Sequence, residues 1–133
     1  MISVKPIKED KSAEDIIAEY NGVEGEKTVL RAEENGTQLG YAVVALAEKR
    51  LSVLKIKLYF NNEVQSLNVD GAAVADLLIR AAASYALNRG IFVVYGVNNE
   101  DFYIYRQLGH KIIGNIALID LPKLMGNCDK CKK

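Results

Sequence analysis

Two segments carry the side chains and spacings of greatest chemical interest. The first, Asp70-Gly-Ala-Ala-Val-Ala-Asp-Leu-Leu-Ile-Arg80, opens a long helix directly after an apolar strand. The second, Phe102-Tyr-Ile-Tyr-Arg-Gln-Leu-Gly109, reads as a short aromatic helix that ends in glycine and feeds another strand. Other reactive groups are sparse. His110 is the sole histidine, too little for a histidine-rich metal site, and reads as a polar residue at the start of a strand. No serine stands in a Gly-x-Ser-x-Gly turn, and no P-loop is present. Cys128-Asp-Lys-Cys131 is a single C-x-x-C, which supplies two of the four ligands a structural zinc site needs. The pair is therefore half of a site completed by a second copy in a homodimer, a dithiol that cycles with its disulfide, or part of a mobile tail. The last is the expectation adopted, with no bound metal.

Composition narrows the function classes. A chain of 133 residues is the size of one domain with a real core. Half of it is hydrophobic and 26% is charged, a globular balance. The 17 basic and 17 acidic residues cancel, which leaves no global field to attract nucleic acid or an anionic membrane. Met-Ile-Ser-Val-Lys-Pro lacks the basic-then-apolar pattern of a signal peptide, and no apolar run approaches the roughly 18 residues of a membrane span. A cytoplasmic location is expected. Both cysteines lie within the last six residues, so the core is no disulfide scaffold.

The elements follow from pattern and punctuation. Ile2–Lys5 reads as a short edge strand stopped by Pro6. Ser12 reads as an N-cap with Asp15 completing a capping-box variant, and Ile16, Ile17 and Tyr20 form the apolar helix face before Asn21-Gly22. Three strands follow: Lys27–Glu34, a turn at Asn35-Gly36, and Gln38–Leu46 returning; then a polar turn and Leu51–Phe60. In the third, Leu54, Ile56, Leu58 and Phe60 alternate with Lys55, Lys57 and Tyr59, a period of two that places the four apolar chains on one face. Asp70–Arg89 is the central helix, nearly buried, with Asp76, Arg80, Ser84 and Asn88 as one narrow polar stripe and Gly90 as its terminator. Ile91–Tyr95 is a strand covered on both faces. A helix over about 100–108 precedes a last strand, Lys111–Leu121, ended by Pro122. Residues 1–125 form one domain and 126–133 a polar tail that carries the cysteine pair. The order β-α-β-β-β-α-β-α-β specifies an α+β fold, a mixed and mostly antiparallel sheet flanked by helices.

From about Lys27 to Leu121 this order, with the two segments above, resembles the GNAT N-acyltransferase superfamily. The resemblance implies a GNAT-like single domain and acetyl-CoA as co-substrate. In that family an Arg/Gln-x-x-Gly-x-Gly/Ala pattern opens the central helix, where backbone N–H groups and the positive helix end take the CoA pyrophosphate. Aligned on Leu78, Ile79 and Arg80, the pattern falls on Asp70-Gly71-Ala72-Ala73-Val74-Ala75. Those N–H groups, Gly71 to Ala75, become the expected phosphate cradle. Ala75 stands where Gly or Ala is accepted, Ala73 replaces a glycine, and Asp70 stands in place of the basic residue; it would repel a pyrophosphate or serve as an ordinary N-cap.

Asn98, Tyr105 and Gly109 keep a second family spacing, with His110 where an aromatic residue usually begins the last strand. The resemblance makes Tyr105 the acid that protonates the leaving thiolate, since a phenol is protonated at neutral pH; otherwise it is a packed aromatic beside Phe102, Tyr103 and Leu108. Asn98 is carried over as cofactor-binding, and a backbone amide of the strand near Leu58 to Phe60 as the holder of the thioester oxygen. No general base is evident: the strand offers Ser52, Lys55, Lys57 and Tyr59, with Glu63 only in the loop beyond. The expected reaction is acetyl transfer to an amine. The alternative is a relative that has lost catalysis and serves as a binding module.

Overall fold

The computed structural model describes residues 1–7, 10–59 and 66–125. Among them a seven-stranded sheet runs in the order β1-β2-β3-β4-β5-β7-β6, with the strands β1 (Ser3–Ile7), β2 (Glu26–Glu34), β3 (Thr37–Ala47), β4 (Arg50–Leu58), β5 (Val94–Gly96), β6 (Lys111–Ile113) and β7 (Ile116–Leu118). Only the β4–β5 pair is parallel. The helices are α1 (Lys11–Ala18), α2 (Val69–Leu87), α3 (Phe102–Gln107) and α4 (Leu121–Met125). None of the described helices is long and apolar enough to cross a membrane.

Local chemistry accounts for most of these elements. Asn35 and Gly36, with φ of 52° and 83°, make the β2–β3 turn, where both central residues need positive φ. The central helix ends in a Schellman motif: Gly90 (φ 72°) donates to the Leu87 carbonyl and Ile91 to the Ala86 carbonyl. The first helix begins two residues earlier than Ser12 implies. Asp10 is its N-cap and accepts from the Ser12 N–H at 2.7 Å. Buried Arg31 of β2 donates to the Asp10 carboxylate at 3.3 Å and to the Ser12 hydroxyl at 2.7 Å, which ties the helix start to the sheet. Hydrogen bonds from Ser12 and Arg31 hold the Asp10 carboxyl down at about 2.

Five further expectations are corrected. Pro6 does not stop β1 but pairs with Leu30 inside it, tolerated because β1 is an edge strand with no outer partner for the missing N–H. The segment over 91–95 is not covered on both faces: only Val94–Gly96 pairs, and Phe92 is 73% exposed. The last strand is two, because Gly114 (φ 59°) turns the chain at 114–115 into a β6–β7 hairpin. Pro122 then lies in α4, which buries Leu121 and Leu124, and whose Leu124 carbonyl accepts from Arg80; the Asp76–Arg80 part of the polar stripe is thus half-covered.

The last correction matters most for the site. Leu54 does not share a face with Ile56 and Leu58. The β3–β4 register steps from Val43↔Lys55 to Val44↔Val53, which leaves Leu54 as the extra residue of a β-bulge. Before the bulge Leu51 and Val53 face α2; after it Ile56 and Leu58 do, while Leu54 joins Val43, Tyr41 and Ala13 on the α1 side. Leu78 of α2 is fully buried in the larger cluster. Leu78→Ala is expected to cost about 2–5 kcal/mol, read as a lower midpoint of urea unfolding; a change below 1 kcal/mol would mean that this face of α2 is not the core.

Candidate functional site

The bulge decides where β4 points its N–H groups. Before it, Leu51 donates to the Val93 carbonyl at 2.9 Å and the Val53 carbonyl accepts from Val97 at 3.1 Å, both across to β5. The extra residue shifts the phase by one. Tyr59 then donates to Leu39 on the β3 side, so the N–H groups of Ile56 and Leu58 turn the other way. On that side β5 has already left: it pairs with β4 only over 51–53, and the chain passes into a 3₁₀ turn at Asn99–Asp101. The result is a fork between the strands, with donors on the β4 arm and Gly96 at the vertex.

Two side chains occupy this fork. Asp101, 8% exposed, accepts the Ile56 N–H at 2.8 Å. Burial raises its carboxyl to about 6, against that hydrogen bond and the Lys55 charge, with Glu100 adding to the rise. Tyr105 lies against Gly96 so closely that a Cβ there would come within 2.5 Å of its hydroxyl oxygen. The ring is 1% exposed, and among the described residues its hydroxyl has no hydrogen-bond partner. Burial, and secondarily the Asp101 charge, push the phenol far above its ordinary range, so it stays protonated at any physiological pH.

A second Schellman motif fixes Tyr105: Gly109 (φ 90°) donates to the Arg106 carbonyl, and His110 donates to the Tyr105 carbonyl at 2.8 Å. That motif explains the Tyr-to-Gly spacing in physical terms. His110 sets its ring edge-on to Tyr105 at 6.1 Å, and burial lowers its pKa.

The expected phosphate cradle lies deeper in the helix than the expectation requires. The N-cap of α2 is Asn68, not Asp70; its side chain accepts the Gly71 N–H at 2.6 Å, and its carbonyl accepts the Ala72 N–H at 2.9 Å. Ala73, Val74 and Ala75 are in the following turn, where helical N–H groups are spent on carbonyls four residues back. Asp70 sits exposed in the first turn, and with Glu34, Ala73 and Val74 it lines a hollow of about 290 Å³. The Asp70 carboxylate there opposes an anion, while that of Glu34 is paired with the Met1 ammonium at 3.2 Å. Gln107 of α3 exchanges two 3.0 Å bonds with the backbone of Leu67, which binds the end of α3 to the approach to α2.

Asn98 caps the 3₁₀ turn by accepting from the Glu100 N–H at 3.0 Å, a role that places Asp101. Leu58 is on the β4 arm of the fork; Phe60, Glu63, Cys128 and Cys131 lie outside the described residues. Lys55 and Lys57 are opposite Val43 and Tyr41 on the α1 side. Among the described residues no group of three His, Cys, Asp or Glu is placed to hold a metal ion. The residue that sequence reasoning missed is Asp101. Its signal was an acidic residue three beyond Asn98, at the start of an aromatic helix, where only a strand bulge upstream makes it part of a site.

No family model matches the sequence, and no curated protein matches it. Solved structures do resemble it. An IAA acetyltransferase from Bacillus cereus superposes with a TM-score of 0.60 at 17% identity, covering 86% of this chain and 79% of that one. A candidate acetyltransferase of the GNAT family from Desulfovibrio desulfuricans gives 0.61 at 10% identity, with 91% and 99% covered. A Bacillus subtilis acetyltransferase in complex with CoA gives 0.56 at 14%, with 86% and 79% covered. The fold of this chain is the GNAT acetyltransferase fold.

The raised Asp101 carboxyl couples folding to pH. Its folded pKa of about 6 exceeds the ordinary 3.8, so the folded state holds a proton that the unfolded chain gives up. Stability should therefore fall as pH rises from about 4 to 6, by about 3 kcal/mol at most, and level off above. Asp101→Asn should remove that fall, read as the difference between the two proteins' urea-unfolding free energies across pH 4–7. Parallel curves would mean that Asp101 titrates as an exposed carboxylate.

Proposed function

We propose that this chain is an acyl-CoA-dependent N-acyltransferase that moves an acetyl group from acetyl-CoA to an amine. The observation that carries this reading is the Tyr105 hydroxyl, buried, protonated and without a partner among the described residues at the vertex of the fork. A buried donor left unpaired costs about 1–3 kcal/mol, a cost that a ligand able to accept its proton would relieve. In the proposed reaction the amine nitrogen attacks the thioester carbon, the C–S bond breaks with its electron pair on sulfur, and Tyr105 gives the thiolate its proton. The nitrogen loses a proton to solvent or a base, and the tyrosinate regains one from solvent. The N–H groups of Ile56 and Leu58 share the fork side of β4, and one of them is the donor offered to the thioester oxygen. The likeness to acetyltransferases, one of them holding CoA, supports the same reading.

One set of observations favours the second reading, a fold that binds without catalysis. The donors nearest a cofactor path are held internally: Gly71 by Asn68, Ile56 by Asp101, Leu67 by Gln107. Titration calorimetry with acetyl-CoA and with CoA separates the two readings without knowledge of the acceptor. The acyltransferase predicts saturable binding of both; absence of binding leaves the module. Where turnover is found, Tyr105→Phe should lower it by roughly 10²-fold or more and leave the unfolding midpoint unchanged or higher, since the hydroxyl it removes is unpaired. Full activity in that variant would reduce Tyr105 to packing.

A further inference from the structure

The fork contains its own competitor for ligand. A donor on an open strand arm is the natural partner for the carbonyl of an extended chain laid beside it, as in strand addition. In this protein the Ile56 N–H already has an acceptor, the Asp101 carboxylate at 2.8 Å. A charged acceptor is the stronger one, so a neutral thioester or amide oxygen does not displace it on equal terms. Displacement would also leave the carboxylate unpaired in a place where the residue is 8% exposed, and a buried unpaired charge is costly.

The neighbours do little to offset that cost. Lys55 from β4 attracts the carboxylate and Glu100 from the 3₁₀ turn repels it, while Tyr20 beyond α1 and Tyr103 and Tyr105 of α3 face it as neutral groups. A neutral carboxyl changes the balance. It holds the Ile56 N–H less strongly, as a neutral acceptor, and gains an O–H that can donate to the incoming oxygen.

We infer that Asp101 is the specificity-determining residue of the fork: its carboxylate holds the Ile56 N–H seat, and an acyl thioester takes that seat only with Asp101 neutral. This rests on the acyl-CoA reading above. Entry of acetyl-CoA then takes up one proton. Free CoA carries the same phosphates and pantetheine arm without the acyl carbonyl, so it serves as the internal control for the titrating groups that face those parts of the ligand.

The test is calorimetric binding of acetyl-CoA and of CoA at pH 5.5 and pH 8, with the parent, Asp101→Ala and Asp101→Asn. In the parent, acetyl-CoA should weaken relative to CoA by about tenfold per pH unit above 6, close to 100-fold by pH 8. In Asp101→Ala that difference should vanish. Asp101→Asn keeps an acceptor for Ile56 but cannot ionise, so it too should lose the pH dependence even if the alanine variant folds poorly. In the ligand-free parent the Ile56 amide resonance should titrate with Asp101, and acetyl-CoA should abolish that titration. An Ile56 amide indifferent to pH, or the same acetyl-CoA pH dependence in all three proteins, overturns the inference and leaves the acyltransferase reading intact. Failure of both acetyl-CoA and CoA to bind any of the three proteins overturns the acyl-CoA reading, and this inference with it.

Discussion

One unpaired residue in β4 sets the geometry of the whole site. Leu54 adds a step to one strand of an antiparallel pair, and everything after it is turned over. Ile56 and Leu58 inherit the face under α2, and their N–H groups turn from β3 to the side from which β5 has departed. Without the bulge those donors would be spent on β3, and the fork would present carbonyls and side chains of the wrong phase. The bulge is itself held by packing: Leu54 is buried against Val43 and Tyr41 on the α1 side, so slippage of the register would move an apolar chain into water.

Around that frame the polar groups are nearly all accounted for internally. Buried backbone donors must find acceptors, and here side chains meet the need at the end of each open segment: Asn68 at the start of α2, Asp101 on the β4 arm, Gln107 across Leu67. Among the buried side-chain polar atoms of the described residues the Tyr105 hydroxyl is the exception, and its ring lies between the Gly109 turn behind and Gly96 beneath. In the proposed reading, ligand binding at such a site is an exchange of internal hydrogen bonds for external ones. Its net free energy is therefore small beside the number of contacts made, and a single ionisable acceptor such as Asp101 has disproportionate leverage over it.

Much of the fold was legible because its signals are local. Asn35-Gly36, the alanine-rich run from Asp70, and the glycines at 90 and 109 each act within a few residues, and the backbone obeys them. The site was less legible because its key features are not local. The bulge hides in a strand whose both faces are apolar at that point, so Leu54, Ile56 and Leu58 mimic an unbroken period of two. Asn68 competes for the cap with Asp70, and it wins because its side chain reaches the Gly71 N–H three residues on. Asp101 carries no motif; it becomes part of the site only when a strand 45 residues earlier turns a donor toward it. Gly114 is a local turn signal as well, but the apolar run on either side of it reads as one strand.

The central claim is that the β4–β5 fork receives the thioester end of acyl-CoA, with Tyr105 beside the sulfur. The most direct measurement is a crystal structure of the protein with CoA. The account predicts the sulfur at the Gly96 vertex, within hydrogen-bond reach of the Tyr105 hydroxyl. CoA seated elsewhere, in the charged hollow between Asp76, Arg80 and Lys123 for example, with the Tyr105 hydroxyl still unpaired, would contradict it.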